Sequence, residues 1–261
     1  MARMSKENVG RFFAALAAER PDPTTELDYI NPYTLLVAVV LSAQATDVSV
    51  NKATAELFKA VDTPAKMIAY GEPKLRDAIK TIGLYRTKAA NVIRLSEILV
   101  QKHGGAVPAN REALEELPGV GRKTANVVLN IAFGQPTIAV DTHIFRLANR
   151  TGLAPGKDPR AVEEALHSVV PEQYLRHAHH WLILHGRYVC TARNPKCAAC
   201  VVRDLCLYEA KTTADVPAAA NASPTRRSSN RGRVSSARAT GRRAPRRAQR
   251  RGATSRGEKA R

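Results

Sequence analysis

Lys123 closes the segment Leu117-Pro-Gly-Val-Gly-Arg-Lys123, in which the apolar residues Leu114, Leu117 and Val120 lead into a turn and a strongly apolar stretch resumes over Thr124 to Ile131. The pattern predicts a helix, a tight hairpin and a second helix. Gly119 and Gly121 lack the Cβ that would block close approach, so the amides of Gly119, Val120 and Gly121 can face a phosphate, together with the helix start at Arg122. Lys123 then falls in the first helical turn, where the dipole disfavours a cation unless it binds an anion or stays neutral for chemistry. A neutral amine is a nucleophile. Free lysine titrates near ~10.4, so work at neutral pH requires a fall of several units, each about 1.4 kcal/mol. Helix-end placement, Arg122 and an expected partial burial all push in that direction. The plainer alternative is a surface lysine that binds phosphate.

Asp141 follows eighteen residues later in Ile138-Ala-Val-Asp-Thr-His143, ahead of Ile144-Phe-Arg-Leu147 in helical rhythm. It is placed to cap that helix. A carboxylate fixed by a cap can also face positive charge developing on a carbon, or assist proton transfer. His143 either contacts phosphate or packs. His177, His179, His180 and His185 resemble a metal cluster at first sight, but Trp181, Leu182 and Leu184 interleave with them, so core or surface histidines with satisfied partners are expected.

All four cysteines fall between Cys190 and Cys206, spaced Cys190-x6-Cys197-x2-Cys200-x5-Cys206. In a reducing compartment this suggests a metal centre rather than disulfides. Four thiolates suit a tetrahedral zinc or an iron–sulfur cluster, and the two close pairs usual in zinc ribbons are missing. Arg193 and Lys196 lie on the basic loop between the first two cysteines, where they either grip phosphate or are simply solvated.

Helices must position these groups. Apolar residues recur at helical spacing in Val9, Phe12, Phe13, Leu16, in Leu75, Ile79, Ile82, and in Ala89, Val92, Ile93, Leu95, Leu99. Thr63-Pro64, Gly83, Gly104-Gly105 and Pro171 punctuate them. Convincing period-2 strands are absent; Thr137 to Val140 is the one short extended candidate. The fold class is all-α.

The chain has 261 residues and a formal charge of +18, which favours a polyanionic partner. Most of that surplus sits from Lys211 to Arg261, where 15 basic residues face 2 acidic ones among Arg, Ala, Ser, Thr, Gly and Pro. Such a segment buries too little apolar surface to offset chain ordering, so 211–261 is expected to be disordered and to tether the protein to a polyanion or merely solubilise it. The longest apolar run, Leu35 to Leu41, is far short of the roughly 20 residues that span a bilayer. No signal peptide is evident, and a soluble cytoplasmic protein without membrane contact is expected.

Taken together, Leu117 to Ala125, Val140-Asp-Thr-His143 and the cysteine spacing resemble the endonuclease III family of helix-hairpin-helix DNA glycosylases. Leu41-Ser-Ala-Gln-Ala-Thr-Asp47, Ile82-Gly-Leu-Tyr85 and His179 to Tyr188 are similar to that family as well, so the resemblance covers roughly residues 5 to 210. It implies two lobes with DNA in the cleft: a six-helix lobe over 25–135 with the hairpin at about 114–133, and a lobe combining 1–24 with 136–210. The second lobe would hold a [4Fe-4S] cluster on Cys190, Cys197, Cys200 and Cys206. By the same resemblance Lys123 is the nucleophile and Asp141 the assisting carboxylate, while Gln44 and Leu84 fill the gap left in the duplex by a flipped base. The implied activity is removal of oxidised pyrimidines and cleavage 3′ to the abasic site by β-elimination. The implied partner is double-stranded DNA with damaged pyrimidines or abasic sites, bound by a monomer in a bacterial, nucleoid-associated setting. The nearest rival, the mismatch adenine glycosylase, lacks a lysine at the position of Lys123. A non-catalytic DNA-binding module is the rival of a different class.

Overall fold

The computed structural model describes residues 2–213. The expected disorder of the basic tail therefore lies, beyond residue 213, outside the described residues. The described chain is helical, with no strand among the described residues. In chain order the helices are α1 (Lys6–Glu19), α2 (Pro32–Ser42), α3 (Asp47–Ala60), α4 (Pro64–Tyr70), α5 (Glu72–Ala78), α6 (Tyr85–His103), α7 (Arg111–Glu115), α8 (Arg122–Phe133), α9 (Thr142–Thr151), α10 (Pro159–Val169) and α11 (Glu172–Tyr188). Two 3₁₀ turns, Cys197–Ala199 and Arg203–Leu205, complete the cysteine segment.

Polar residues start most of these helices. Ser5, Asn31, Thr46, Thr63, Asn110, Asp141 and Asp158 each accept a backbone N–H of the helix that follows, which satisfies donors that have no partner inside the helix. Asn31 and Thr34 cap one another reciprocally, with Pro32 preset for the first helical position. Gly104 ends α6 in the left-handed region, a conformation that costs glycine little.

Two apolar cores result. The first gathers α2 to α8, including Leu35, Leu36, Leu41, Met67, Leu75, Ile79, Leu95, Leu99 and Leu114. Helix α2 lies at its centre and buries every residue from Tyr33 to Leu41, which explains a sequence apolar on all sides rather than on one stripe. No described helix is long and apolar enough to cross a membrane. The second core joins Phe12 and Phe13 of α1 to Ile144, Leu147, Val162, Leu166, Trp181 and Leu182. Phe13 stacks on Tyr174 at 5.9 Å, and Trp181 donates through Nε1 to the Arg20 carbonyl at 2.8 Å, so the N-terminal helix is fastened to α11.

The link between the cores is the stretch expected to be extended. Along it, Ile138 and Val140 enter the second core while Ala139 enters the first. This is the period of 2 of an extended chain, used here to pass between two bodies instead of to build a sheet. Thr137 anchors the stretch by donating from its hydroxyl to the Asn126 carbonyl at 2.6 Å. The next residue along is Asp141.

Candidate active site and cysteine centre

The hairpin forms between α7 and α8, and its turn depends on Gly119 at φ 81°. A Cβ at this position would lie 3.0 Å from Asn91 Nδ2 of α6, so both the backbone angle and the available space call for glycine. Val120 behaves differently from expectation. Its side chain is buried and its N–H donates to the Leu117 carbonyl at 3.0 Å; the turn itself consumes that amide. Gly121, extended at φ −101° as the N-cap of α8, carries no side-chain cap, which leaves the first amides of α8 free to take an anion.

Lys123 lies on the exposed first turn of α8. The expected partial burial is not found, because the lysine stands at the mouths of two openings and not beneath either. One has roughly 510 Å³ of empty space and is lined by Asp47, Val127, His179, Ile183 and Arg187 among others. The second, roughly 630 Å³, adds Val140, Asp158 and Glu163. Arg122 next to it is spent within the protein: its Nε and Nη2 donate to Glu163 at 3.0 and 2.9 Å, and Glu163 also accepts from Asn126. That buried carboxylate on α10 is what the guanidinium meets, so Arg122 ties α8 to the second core while its backbone N–H stays in the open first turn.

Asp141 caps α9 as expected, with one oxygen, Oδ1, accepting from the amides of His143 and Ile144, both at 2.9 Å. Oδ2 is left for other work. His143 is half-buried, its Nδ1 lies 3.3 Å from Arg146 Nη2, and its carbonyl presses on Gly186 of α11, where a Cβ would come within 2.9 Å. It is thus placed chiefly by packing. Gln44 and Leu84 are both exposed and both hold positive φ, 56° and 59°. Such angles are costly for residues with a Cβ and persist where function retains them.

Sequence reasoning passed over the groups beside Lys123. Arg187 of α11 donates to Asp47 Oδ2 at 2.6 Å and to Glu26, which also accepts from Tyr188. Burial works against charging Arg187, yet Asp47 and Glu26 outweigh it and hold the guanidinium well above the ordinary arginine value. Their separations of 140 and 161 residues left no local signal.

The histidines of α11 are buried, but their partners are incomplete. His179 Nδ1, His180 Nε2 and His185 Nδ1 have no hydrogen-bond partner. Burial, assisted by His180, Lys123 and Arg187, pushes His179 down to about 3; burial, assisted by His177 and Arg176, pushes His180 down to about 4. Both are therefore neutral in the folded protein and titrate near ~6.5 when unfolded. Their contribution is complete above that value and is lost as pH falls from 6.5 toward 4, at about 1.4 kcal/mol per unit for each group. Urea midpoints followed by Trp181, the one tryptophan, should drop between about pH 7 and about pH 5, and His179→Gln should flatten the drop. Equal slopes for the two proteins would refute this account.

Cys190, Cys197, Cys200 and Cys206 line one cavity of roughly 350 Å³. Burial pushes the Cys200 thiol up to about 11, and the other three cysteines add to the rise, so bare thiolates are unfavourable unless a cationic centre compensates. Nitrogen groups already approach the sulfurs: Arg150 Nη1 donates to Cys190 at 3.6 Å and the Tyr208 amide to Cys206 at 3.4 Å, while His185 Nε2 lies 3.4 Å from Cys200 Sγ. Yet among the described residues no three His, Cys, Asp or Glu side chains converge as ligands of a single ion. Four thiols around one cavity are the donor set of an iron–sulfur cluster as well as of a zinc ion. Arg193 and Lys196 stay exposed on the loop between the first two cysteines, which is pinned where Thr191 donates to the Asn194 carbonyl at 2.6 Å.

Residues 37–172 match the HhH-GPD superfamily of base excision DNA repair proteins, and residues 190–206 match the iron–sulfur binding domain of endonuclease III. The chain is 57% identical to endonuclease III of Escherichia coli (strain K12) over 208 residues, which is 80% of this chain and 99% of that protein. It is 56% identical to endonuclease III of Haemophilus influenzae over 208 residues, 80% of this chain and 99% of the relative. Among solved structures, a trapped endonuclease III–DNA covalent intermediate and a non-covalent endonuclease III–DNA complex each superpose with a TM-score of 0.73 at 44% identity, over 78% of this chain and 96% of theirs.

Proposed function

Because the chain belongs to the endonuclease III family of the HhH-GPD superfamily, we propose that Lys123 is the nucleophile of its reaction and Asp141 the carboxylate that assists it. The protein is a base-excision DNA repair glycosylase and AP lyase that carries an iron–sulfur binding domain. The observation that carries the residue assignment is an exposed lysine on the first turn of α8, with unpaired helix amides beside it, at an opening also lined by Val140, the residue before the capped carboxylate Asp141.

The substrate is double-stranded DNA with an oxidised pyrimidine or an abasic site, and the protein acts as a cytoplasmic monomer. The lobes are read as 25–135 and as 1–24 plus 136–210, a division that the two apolar cores support except at Ala139, which packs into the first core. Gly119, Gly121 and the first amides of α8 hold the phosphates flanking the lesion, with Arg193 and Lys196 further along the backbone. Val120 contributes shape to the turn, Arg122 its backbone N–H, and His143 support for Asp141. Gln44 and Leu84 enter the duplex from their strained turns and occupy the space of the extruded nucleotide, whose C1′ is out of reach inside the stack.

Lys123 Nζ attacks C1′, and the C1′–N bond breaks as the base leaves with a proton. Asp141 Oδ2 balances the positive charge that grows on the sugar and receives the proton shed by the amine. The C1′–O4′ bond then breaks, O4′ taking the proton held by Asp141 as the amine nitrogen forms the C1′=N Schiff base; this acidifies the C2′ hydrogen, whose removal expels the C3′ oxygen as phosphate, and water adding at C1′ frees Lys123. An exposed lysine receives its dry surroundings from the bound duplex itself. Cys190, Cys197, Cys200 and Cys206 hold the [4Fe-4S] cluster, which when bound supplies a rigid cross-link for segment 190–206.

A duplex with one oxidised pyrimidine tests the reading. The expected product is a broken strand ending in an unsaturated aldehyde, with the pyrimidine released. Base release from an intact strand, or release of adenine from a mismatch in place of the pyrimidine, would overturn it.

A further inference from the structure

Lys88 is a charged residue in the first core. It is 5% exposed, and its Nζ donates to the Leu41 carbonyl at 2.9 Å. Leu41 lies in the last turn of α2, where carbonyls have no partner within the helix and the dipole favours a cation. Three residues later the chain reverses: Ala43 has φ −56° and ψ 116°, Gln44 has φ 56°, and Ala45 N donates to the Ser42 carbonyl at 3.0 Å. These are the angles of a type II turn, with Gln44 at the position that ordinarily selects glycine.

The backbone of the same lysine meets the second strained turn. Lys88 N donates to the Leu84 carbonyl at 3.0 Å, and Leu84, at φ 59° and without a side-chain cap, begins α6. Leu84 is 61% exposed. One residue thus holds the carbonyl of Leu84 with its amide and the end of α2 with its ammonium. Asn91, one turn further along α6, is what a Cβ at Gly119 would meet, so the hairpin leans on the same stretch of helix.

We propose that Lys88 is a positioning residue that sets the spacing between the Gln44 and Leu84 turns, so that the two side chains enter the duplex together during nucleotide extrusion. The proposal rests on the reading of Gln44 and Leu84 given above. A chain with Lys88 replaced by an apolar side chain of similar length still packs its core, but α2 and α6 lose their shared hydrogen bond and the two turns move independently.

The test is Lys88→Met, with Lys88→Gln as a second variant that retains a donor of shorter reach. Single-turnover base release is measured on two duplexes, one with the oxidised pyrimidine paired and one with it facing an abasic gap that needs no pair opened. The paired-to-unpaired rate ratio, taken within one preparation and so independent of its folded fraction, should fall about tenfold for Lys88→Met and less for Lys88→Gln. In a double-mutant cycle, Lys88→Met should add little once Leu84→Ala is present, because both act on one step. An unchanged ratio, or effects that multiply, would overturn the role of Lys88. If Gln44→Ala and Leu84→Ala themselves leave the ratio unchanged, the underlying reading of those two side chains falls, and this proposal with it; if they lower it and Lys88→Met does not, only Lys88 is dismissed.

Discussion

Lys123→Ala is expected to yield no covalent adduct when incubated with abasic duplex and borohydride, under conditions in which the unaltered protein is trapped on the DNA. Borohydride reduces a Schiff base to a stable amine, so the trapped species reports the bond between Nζ and the sugar directly. Removing a nucleophile from a covalent mechanism costs on the order of a thousandfold or more, and here no second lysine stands on the first turn of α8 to replace it. Because Lys123 is exposed, the alanine protein should unfold at nearly the same temperature as the parent, surface substitutions usually changing stability by less than about 0.5 kcal/mol. DNA affinity should fall only modestly, since the hairpin amides are untouched. An adduct of equal yield from Lys123→Ala would exclude this residue as the nucleophile.

Asp141→Asn should slow base release by about a hundredfold with little change in stability. The prediction separates the two duties of that side chain. As a cap, Asp141 accepts from His143 and Ile144 through Oδ1, and asparagine can do this equally well. As an assisting carboxylate it needs the negative charge on the second oxygen, which asparagine lacks. Asp141→Ala should lose both, with helix-cap loss adding about 1 kcal/mol of destabilisation. If Asp141→Asn retains the parent rate, the carboxylate is a cap and nothing more.

Much of this site was legible before any coordinates. Gly-Val-Gly followed by Arg-Lys marks a hairpin because few residues tolerate its angles, and Gly119 indeed needs both a positive φ and an absent Cβ. Asp141 ahead of a helical rhythm reads as a cap because an unpaired helix amide requires an acceptor next to it in sequence. Four cysteines within seventeen residues announce a metal centre for a similar reason: short loops bring ligands together with little help from the rest of the fold. Each of these is a local rule, satisfied within a few residues.

What the sequence hid was long-range. The guanidinium of Arg122 reads as one more cation near a phosphate site, and only the packing of α10 against α8 reveals Glu163 as its partner. Lys123 was expected to be partly buried; the structure leaves it on an open rim, because how much of a helix turn is covered depends on neighbouring elements. The α11 histidines were expected to find partners, yet each of three keeps one buried nitrogen unpaired. Lys88 drew no notice, since a lysine on an amphipathic helix looks the same whether its amine meets water or a carbonyl 47 residues away.

By itself, then, the amino-acid sequence determined the helical character, the hairpin, the cap and the cysteine centre, all of which follow from backbone angles and hydrogen bonds between near neighbours. The tertiary structure alone decided which charges are spent inside the protein and which face the substrate. Arg122 and Lys123 are adjacent cations of similar chemistry in the chain, and they part company because Glu163 claims the first while no carboxylate among the described residues claims the second. Whether a charge is neutralised depends on distances across the fold, and those are set only once both cores have packed.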